Sequence, residues 1–299
     1  MAPTKKMKET PSSDFEYDVE QNVQDIITLN KYVGKKVPTN MPEVPIDNIS
    51  FHSIENFEKW KFMYQRRLAL ETKHGKDALE NKEVVSLIEN AGLMKSVVGF
   101  GKCYEMLVKE LIMNIPEDCD NKKSREYTKV YVRCICVKFS PEVINKFIGR
   151  CENEQAEVEV TDNIVCKEIT SKQVSQWPRK GKPSACKLSV KYVVLHRIGA
   201  SNWIPTNHTI TIATGLGKSI YIVGTKTKFY FKSHVFEQTL KHASTFDVKM
   251  PISFPSLICG IILSQHPGIL ISSDAVSKRE SPISLHYRLF QGHMSQTLS

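Results

Sequence analysis

The residues whose types and spacing most suggest chemistry are the pentapeptide GLGKS at positions 215–219, inside TIATGLGKSIYIVGT. They match the end of the phosphate-binding loop G-x-x-x-x-G-K-[ST], in which backbone amides and a lysine hold nucleotide phosphates. The position that requires the first glycine is Ile212, whose branched side chain would crowd so tight a loop. A nucleotide-binding ATPase that uses residues 212–219 is therefore the weaker interpretation.

The same stretch also fits a helix that packs into a core. Residues 205–207 offer a start and Gly224 offers an end. Gly215 and Gly217 would each weaken the helix by about 1 kcal/mol relative to alanine. Burial of each apolar side chain would contribute about 1.5–3 kcal/mol. We therefore favour the helix, with Lys218 in solvent and one apolar face that carries Ile212, Leu216, Ile220 and Val223.

The cysteines and histidines show no spacing typical of a metal site or a catalytic group. None of the eight cysteines forms a C-x-x-C pair, and His234 and His242 are not part of an H-E-x-x-H motif. No G-x-S-x-G elbow of a serine hydrolase is present. The sequence therefore predicts a protein that is not an enzyme and that uses no cofactor and no metal.

Two features bear on the compartment. Scattered single cysteines and an N-terminus without an apolar stretch predict an intracellular protein of the nucleus or cytoplasm. The most apolar window, residues 252–271, is interrupted by Pro255 and Pro267. Its uninterrupted part, residues 257–263, is far shorter than the roughly 20 residues that span a membrane. We expect a buried helix there and no membrane partner.

A strongly basic segment, residues 167–197, is the best candidate for binding nucleic acid. The 299-residue chain carries a net charge of +9, and Glu168 is the segment's only acidic residue. Pro178, Gly181 and Pro183 predict a loop at its centre. Tyr192 lies among the cations, and its ring could stack on bases as that of Trp177 could. The candidate contact residues are Trp177, Arg179, Lys180, Lys182 and Lys187. The alternative is a solvated basic loop without a partner.

The elements that would position these residues are mostly helices. Apolar residues recur at helical spacing in three stripes, which begin at Phe57, Val84 and Met106. A run rich in β-branched residues, 129–139, predicts one strand. Ser140 can cap the following helix, and Gly149 can end it. Further helices are expected from residue 188, from residue 235 and over FPSLICGIIL. The fold class is thus mainly α with a minor β element, in one multi-helical domain.

Composition divides the chain into three parts. Residues 1–48 are polar and proline-containing, which predicts a poorly ordered segment. Residues 49–271 carry the helical patterns and the strand near 129–139. Residues 272–299 become polar and irregular, and we expect a truncated C-terminal tail there.

Several long stretches, in order, carry a family resemblance. They are VYVRCICVKFSPEVINKFIGR, LSVKYVVLHRIGASNWIPTNHT, FEQTLKHASTFDVKMPISFPSLICGII and LHYRLFQG. Over residues 51–292 the chain resembles the putative plant transposon protein domain, whose members are labelled envelope-like proteins of plant LTR retrotransposons and are abundant in legumes. The resemblance implies an element-derived reading frame and transfers no catalytic residue. It also supports the helix at residues 212–223.

The leading hypothesis is a non-enzymatic, retrotransposon-derived protein that acts by binding or as a scaffold. A nucleic-acid-binding accessory protein that uses residues 167–197 is the second hypothesis, and the ATPase is the third. The sequence does not specify protein partners or an oligomeric state.

Overall fold

The structure, a computed structural model, describes residues 44–71, 81–99, 101–149, 160–178, 180–204, 210–227 and 231–277. Within these ranges the chain forms ten α-helices and one pair of antiparallel strands, which confirms the mainly α class with a minor β element. In chain order the elements are α1 (Ile54–Gln65), α2 (Lys82–Asn90), α3 (Met94–Val98), α4 (Glu105–Met113), β1 (Lys129–Val132), β2 (Ile135–Lys138), α5 (Pro141–Ile148), α6 (Asp162–Ile169), α7 (Val190–Asn202), α8 (Thr214–Gly224), α9 (Phe231–Ala243) and α10 (Pro255–Gln265).

The predicted boundaries at residues 48 and 271 stay predictions. Residues 1–43 and 278–299 lie outside the described residues, so neither the predicted N-terminal segment nor most of the predicted tail is described. No helix in the described part of the chain is both long enough and apolar enough to cross a membrane.

Local capping sets several helix ends where the sequence predicted them. The Ser140 hydroxyl accepts a hydrogen bond from the Val143 N–H, and Pro141 occupies the first turn of α5. Gly149 ends the same helix in the left-handed conformation, with φ 82°. Asn81, which the sequence analysis did not single out, accepts from two N–H groups at the start of α2.

The core is built around α4, which contacts α1, α9, α10 and β1. Its Leu107 and Leu111 are fully buried, as the third apolar stripe predicted. The buried helix expected over FPSLICGIIL is α10, whose Leu257, Ile258 and Ile262 pack into the same core. A second, neighbouring group of helices forms where α8 packs against α6 and α7. This group carries the basic segment.

The run 129–139 is two strands and a tight turn instead of the single strand predicted. Lys129 pairs with Lys138 and Val132 with Ile135, so the chain reverses at Arg133 and Cys134. Both turn residues have positive φ, 52° and 59°. Two-residue hairpin turns with positive φ at both central positions favour Asn-Gly or Asp-Gly. The prediction was wrong because Arg-Cys carries no turn signal and the alternation continues through it.

His242 gives the fold a distinct pH dependence. The side chain is fully buried on α9, and burial lowers its pKa to about 4, with a further contribution from Arg66. Nη2 of Arg66 lies 2.6 Å from His242 Nδ1, and the Ser253 N–H donates to Nε2. The imidazole therefore stays neutral in the folded protein at pH values where an unfolded histidine takes up a proton.

We expect the free energy of unfolding to fall as the pH is lowered from about 6.5 to about 4, because only the unfolded state gains the proton there. His242→Gln removes this contribution, so its urea-derived stability should depend less steeply on pH over that window. His196 and His234 also have lowered pKa values, and the comparison with the variant separates His242 from them. Parallel curves for the two proteins would contradict the assignment.

Candidate functional site

The basic segment, residues 167–197, runs from α6, through a loop, into the first eight residues of α7. Lys167 lies on α6, Lys180 and Lys182 lie on the loop, and Lys187 ends a 3-10 turn at Ala185–Lys187. These four lysines are exposed. Arg179, the fifth cation of interest, lies outside the described residues. The centre of the segment is thus the loop that its prolines and glycine predicted.

The end of this loop is fixed to the chain just before α8. Ser184 and Thr211 form an isolated antiparallel bridge. The Ala185 N–H donates to the Ile210 carbonyl at 2.8 Å, and the Ile212 N–H donates to the Pro183 carbonyl at 2.9 Å. These backbone bonds fix the path of the chain that carries Lys182 and Lys187.

Trp177 contacts α8 and is half-buried. Its backbone N–H donates to Asn163 Oδ1 at 2.9 Å, which ties the loop to α6. A Cβ added at Gly217 would lie 2.7 Å from Cη2 of the indole, so the ring packs directly over that glycine. Tyr192, the other aromatic residue expected to stack on bases, is fully buried. Its ring is therefore unavailable for base stacking, and that prediction was wrong.

A cleft of about 460 Å³ opens beside the loop, between α6, α7 and α8. We call it the lysine cleft because three lysines line it, Lys167, Lys172 and Lys191. The other lining residues are Ile164, Glu168, Ser171, Ser189, Tyr192 and Tyr221. The sequence predicted the basic character of this segment, but it did not indicate that its two ends would line an open cleft with α8.

Glu168 is the anionic residue of the cleft, and it is shared between two partners. Its Oε1 accepts a hydrogen bond from the Tyr192 hydroxyl at 3.0 Å and lies 3.8 Å from Lys191 Nζ. Burial raises the pKa of Tyr192, and the nearby Glu168 carboxylate raises it further. Tyr192 is therefore a neutral donor that orients the glutamate. Lys167 and Lys172 pair with no carboxylate in the part of the chain that the structure describes.

The backbone at the C-terminal end of α6 places Lys172 at the cleft. Ser171 and Lys172 both have positive φ, 49° and 67°. The Lys172 N–H donates to the Lys167 carbonyl at 2.7 Å, and the Thr170 hydroxyl donates to the Cys166 carbonyl. These bonds satisfy carbonyls that the helix end would otherwise leave without partners. Two consecutive non-glycine residues with positive φ have no recognisable sequence signal, so the position of Lys172 could not be predicted.

The stretch that resembles a phosphate-binding loop is part of α8. The helix begins at Thr214 and includes both glycines, so the residues that would have to wrap around a phosphate are already helical. Lys218 is half exposed and lies 3.0 Å from Asp162 Oδ1. The Ser219 hydroxyl donates to the Gly215 carbonyl within the helix. This geometry does not provide the loop that nucleotide binding at residues 212–219 requires.

The predicted helix itself is confirmed with one change. Leu216, Ile220 and Val223 are fully buried on α8, which ends at Gly224 as expected. Ile212 is equally buried but precedes the helix. The predicted start at residues 205–207 lies outside the described residues, and the described helix begins at Thr214.

A buried polar network at the hairpin tip was not anticipated from the sequence. The Arg133 guanidinium forms a bidentate pair with Asp274, with distances of 2.8 and 2.5 Å. The Arg133 N–H and the Ser50 hydroxyl each donate to Glu110 Oε1 at 2.6 Å. Burial raises the pKa of Glu110, and these hydrogen bonds oppose the increase. Asp274 is thus held by Arg133 as part of the structure of the hairpin tip.

No group of three or more His, Cys, Asp or Glu side chains among the described residues is arranged to hold a metal ion. His196, His234 and His242 are separately placed, and burial lowers the pKa of each. The prediction that the protein uses no metal and no cofactor stays a prediction.

Comparison with models of known protein families identifies the family of this mainly α-helical domain. The family model described as "Putative plant retrotransposon-related domain" matches residues 90–266, more than half of the chain. The chain therefore belongs to this family. No curated protein and no solved structure matches it significantly. The matched region includes the whole basic segment. The narrower assignment to envelope-like proteins of the legume type stays a prediction.

Proposed function

We propose that this retrotransposon-related chain is a non-enzymatic binding protein whose basic segment binds nucleic acid. The observation that supports this proposal most directly is the set of exposed lysines at residues 167–187 that form no ion pair with a described carboxylate. We expect a protein with this role to act in the nucleus or the cytoplasm.

The charge distribution supports binding to a polyanion. Lys180, Lys182 and Lys187 are exposed, and no described carboxylate forms an ion pair with them. Lysines without an acidic neighbour can neutralise phosphates and release counterions, which is the main source of sequence-independent nucleic-acid affinity. Since the end of the loop is hydrogen-bonded to residues 210–212, Lys182 and Lys187 lie on a fixed backbone path. Less conformational entropy is then lost when a ligand binds.

The alternatives have less support from the described residues. An ATPase would need a loop where α8 is helical. A protein scaffold without a nucleic-acid partner would not need a concentration of unpaired lysines on one segment. We therefore rank nucleic-acid binding above both.

Binding to single-stranded DNA or RNA should weaken steeply with salt. The triple variant R179Q/K180Q/K182Q should reduce the slope of log K against log salt by about two, since each lost phosphate contact contributes about 0.7–0.9. The affinity should fall by a similar factor for unrelated oligonucleotide sequences. Fluorescence anisotropy at four or five salt concentrations measures both quantities.

The matched control is K122Q/K123Q/R125Q, which removes the same charge from exposed residues between α4 and β1. It should change the slope much less. If the two triple variants behave alike, or if the loop variant binds as the wild type does, the basic loop is not the contact surface.

A further inference from the structure

We propose that the lysine cleft binds the 5′-phosphorylated end of a nucleic-acid strand. This inference rests on the proposed function, and it assigns the cleft a ligand that differs from the internal phosphates that the loop would contact. It is supported by the charge, the backbone donors and the apolar wall of the cleft.

The charge of the cleft matches a phosphate monoester. Lys167, Lys172 and Lys191 together with Glu168 give a formal charge of +2. A terminal phosphate monoester carries about −1.5 to −2 at pH 7, whereas each internal phosphodiester carries a single charge. Glu168 also holds Lys191 through the 3.8 Å ion pair, which leaves Lys167 and Lys172 as the freely available cations. A terminal phosphate therefore gains more from this site than an internal one does.

The N-terminal end of α7 adds to the positive character of the cleft. The first turn of α7 lies at the cleft, because Ser189 and Lys191 line it. Ser189, which precedes the helix, forms no side-chain capping bond to it. The early N–H groups of a 13-residue helix are thus not capped by this side chain, and they favour a negatively charged ligand.

The remaining wall suits the nucleoside attached to that phosphate. Tyr221 is half-buried and Ile164 is 52% exposed, so both present apolar surface to the cleft. The volume of about 460 Å³ lies within the range of sites for small organic molecules. The cleft is therefore suited to one terminal nucleotide and too small for a duplex.

The test compares two single-stranded oligonucleotides of identical sequence, labelled at the 3′ end, that carry either a 5′-phosphate or a 5′-hydroxyl group. The wild type should bind the phosphorylated strand about tenfold more tightly, because the two exposed ion pairs from Lys167 and Lys172 act together and each is of modest strength. K167Q/K172Q should lose this preference. R179Q/K180Q/K182Q should bind both strands more weakly and keep the preference.

K122Q/K123Q serves as the charge-matched control and should keep both affinity and preference. Excess adenosine 5′-monophosphate should abolish the preference of the wild type while binding of the 5′-hydroxyl strand persists. Equal affinity for the two strands overturns the cleft assignment alone. If neither strand binds, the proposed function and the cleft assignment fail together. A preference that survives in K167Q/K172Q places the end-binding site elsewhere.

Discussion

Replacing Arg133 with alanine is expected to lower the free energy of unfolding by about 3–5 kcal/mol, because it leaves a buried carboxylate without its partner. The Asp274 side chain is only 4% exposed, and its pKa is lowered mainly by the hydrogen bonds from Arg133. Arg133 Nη1 also donates to the Ile269 carbonyl at 2.7 Å. An alanine at position 133 removes all of these contacts.

The backbone conformation of the hairpin tip also contributes to the loss of stability expected when Arg133 is replaced. Arg133 and Cys134 occupy left-handed backbone conformations, which cost about 1–3 kcal/mol each for residues other than glycine. The tip is held by two backbone bonds, from the Arg133 N–H to Glu110 and from the Cys134 N–H to the Ser50 hydroxyl. We infer that the bidentate pair with Asp274 helps to keep the turn in this strained form.

Urea denaturation of R133A, D274N and the double variant measures the coupling. The double variant should be destabilised by much less than the sum of the two single changes, since it leaves no unpaired buried charge. Additive effects would show that the pair is not coupled. A loss below about 1 kcal/mol for R133A would show that the pair behaves as an exposed ion pair does.

Alanine substitutions at the glycines of α8 are expected to change the free energy of unfolding in opposite directions, because different side chains face each position. A Cβ at Gly224 would overlap the ring of Tyr192, which is fully buried. Because the buried ring must shift to make room for the added methyl group, Gly224→Ala should destabilise the protein by about 1–3 kcal/mol. It should also disturb the hydrogen bond from the Tyr192 hydroxyl to Glu168.

Gly215→Ala is the matched control in the first turn of the same helix. A Cβ there would lie 3.5 Å from Cδ1 of Ile204, an ordinary contact. This variant should gain up to about 1 kcal/mol through helix propensity. The stability of Gly217→Ala should lie between those of Gly224→Ala and Gly215→Ala. The Trp177 ring that the new methyl group meets is only half-buried and can shift.

Thermal denaturation and tryptophan fluorescence distinguish these outcomes. Gly217→Ala should change the fluorescence of Trp177, and Gly215→Ala should leave it unchanged. Destabilisation by all three substitutions would indicate that the glycines are needed for their backbone conformation. The packing explanation for GLGKS would then be wrong.

The amino-acid sequence by itself determined the features that depend on neighbouring residues. Ser140, Pro141 and Gly149 specify the two ends of α5 through bonds within a few residues of each other. The apolar spacing of α8 and α10 identified helices that bury those positions. Several long stretches in order indicated a plant element-derived domain, and the family match confirmed this at the level of a retrotransposon-related family.

Only the tertiary structure decided the features that join distant parts of the chain. Arg133 meets Asp274 across 141 positions, and Ser50 meets Glu110 across 60. The lysine cleft forms only after α8 brings Tyr221 beside Lys167 and Lys191. Periodicity and capping report local backbone preferences, and such contacts have no local signature. The turn at Arg133 was missed for this reason, since bonds from Glu110, Ser50 and Asp274 hold a conformation that its own residues disfavour.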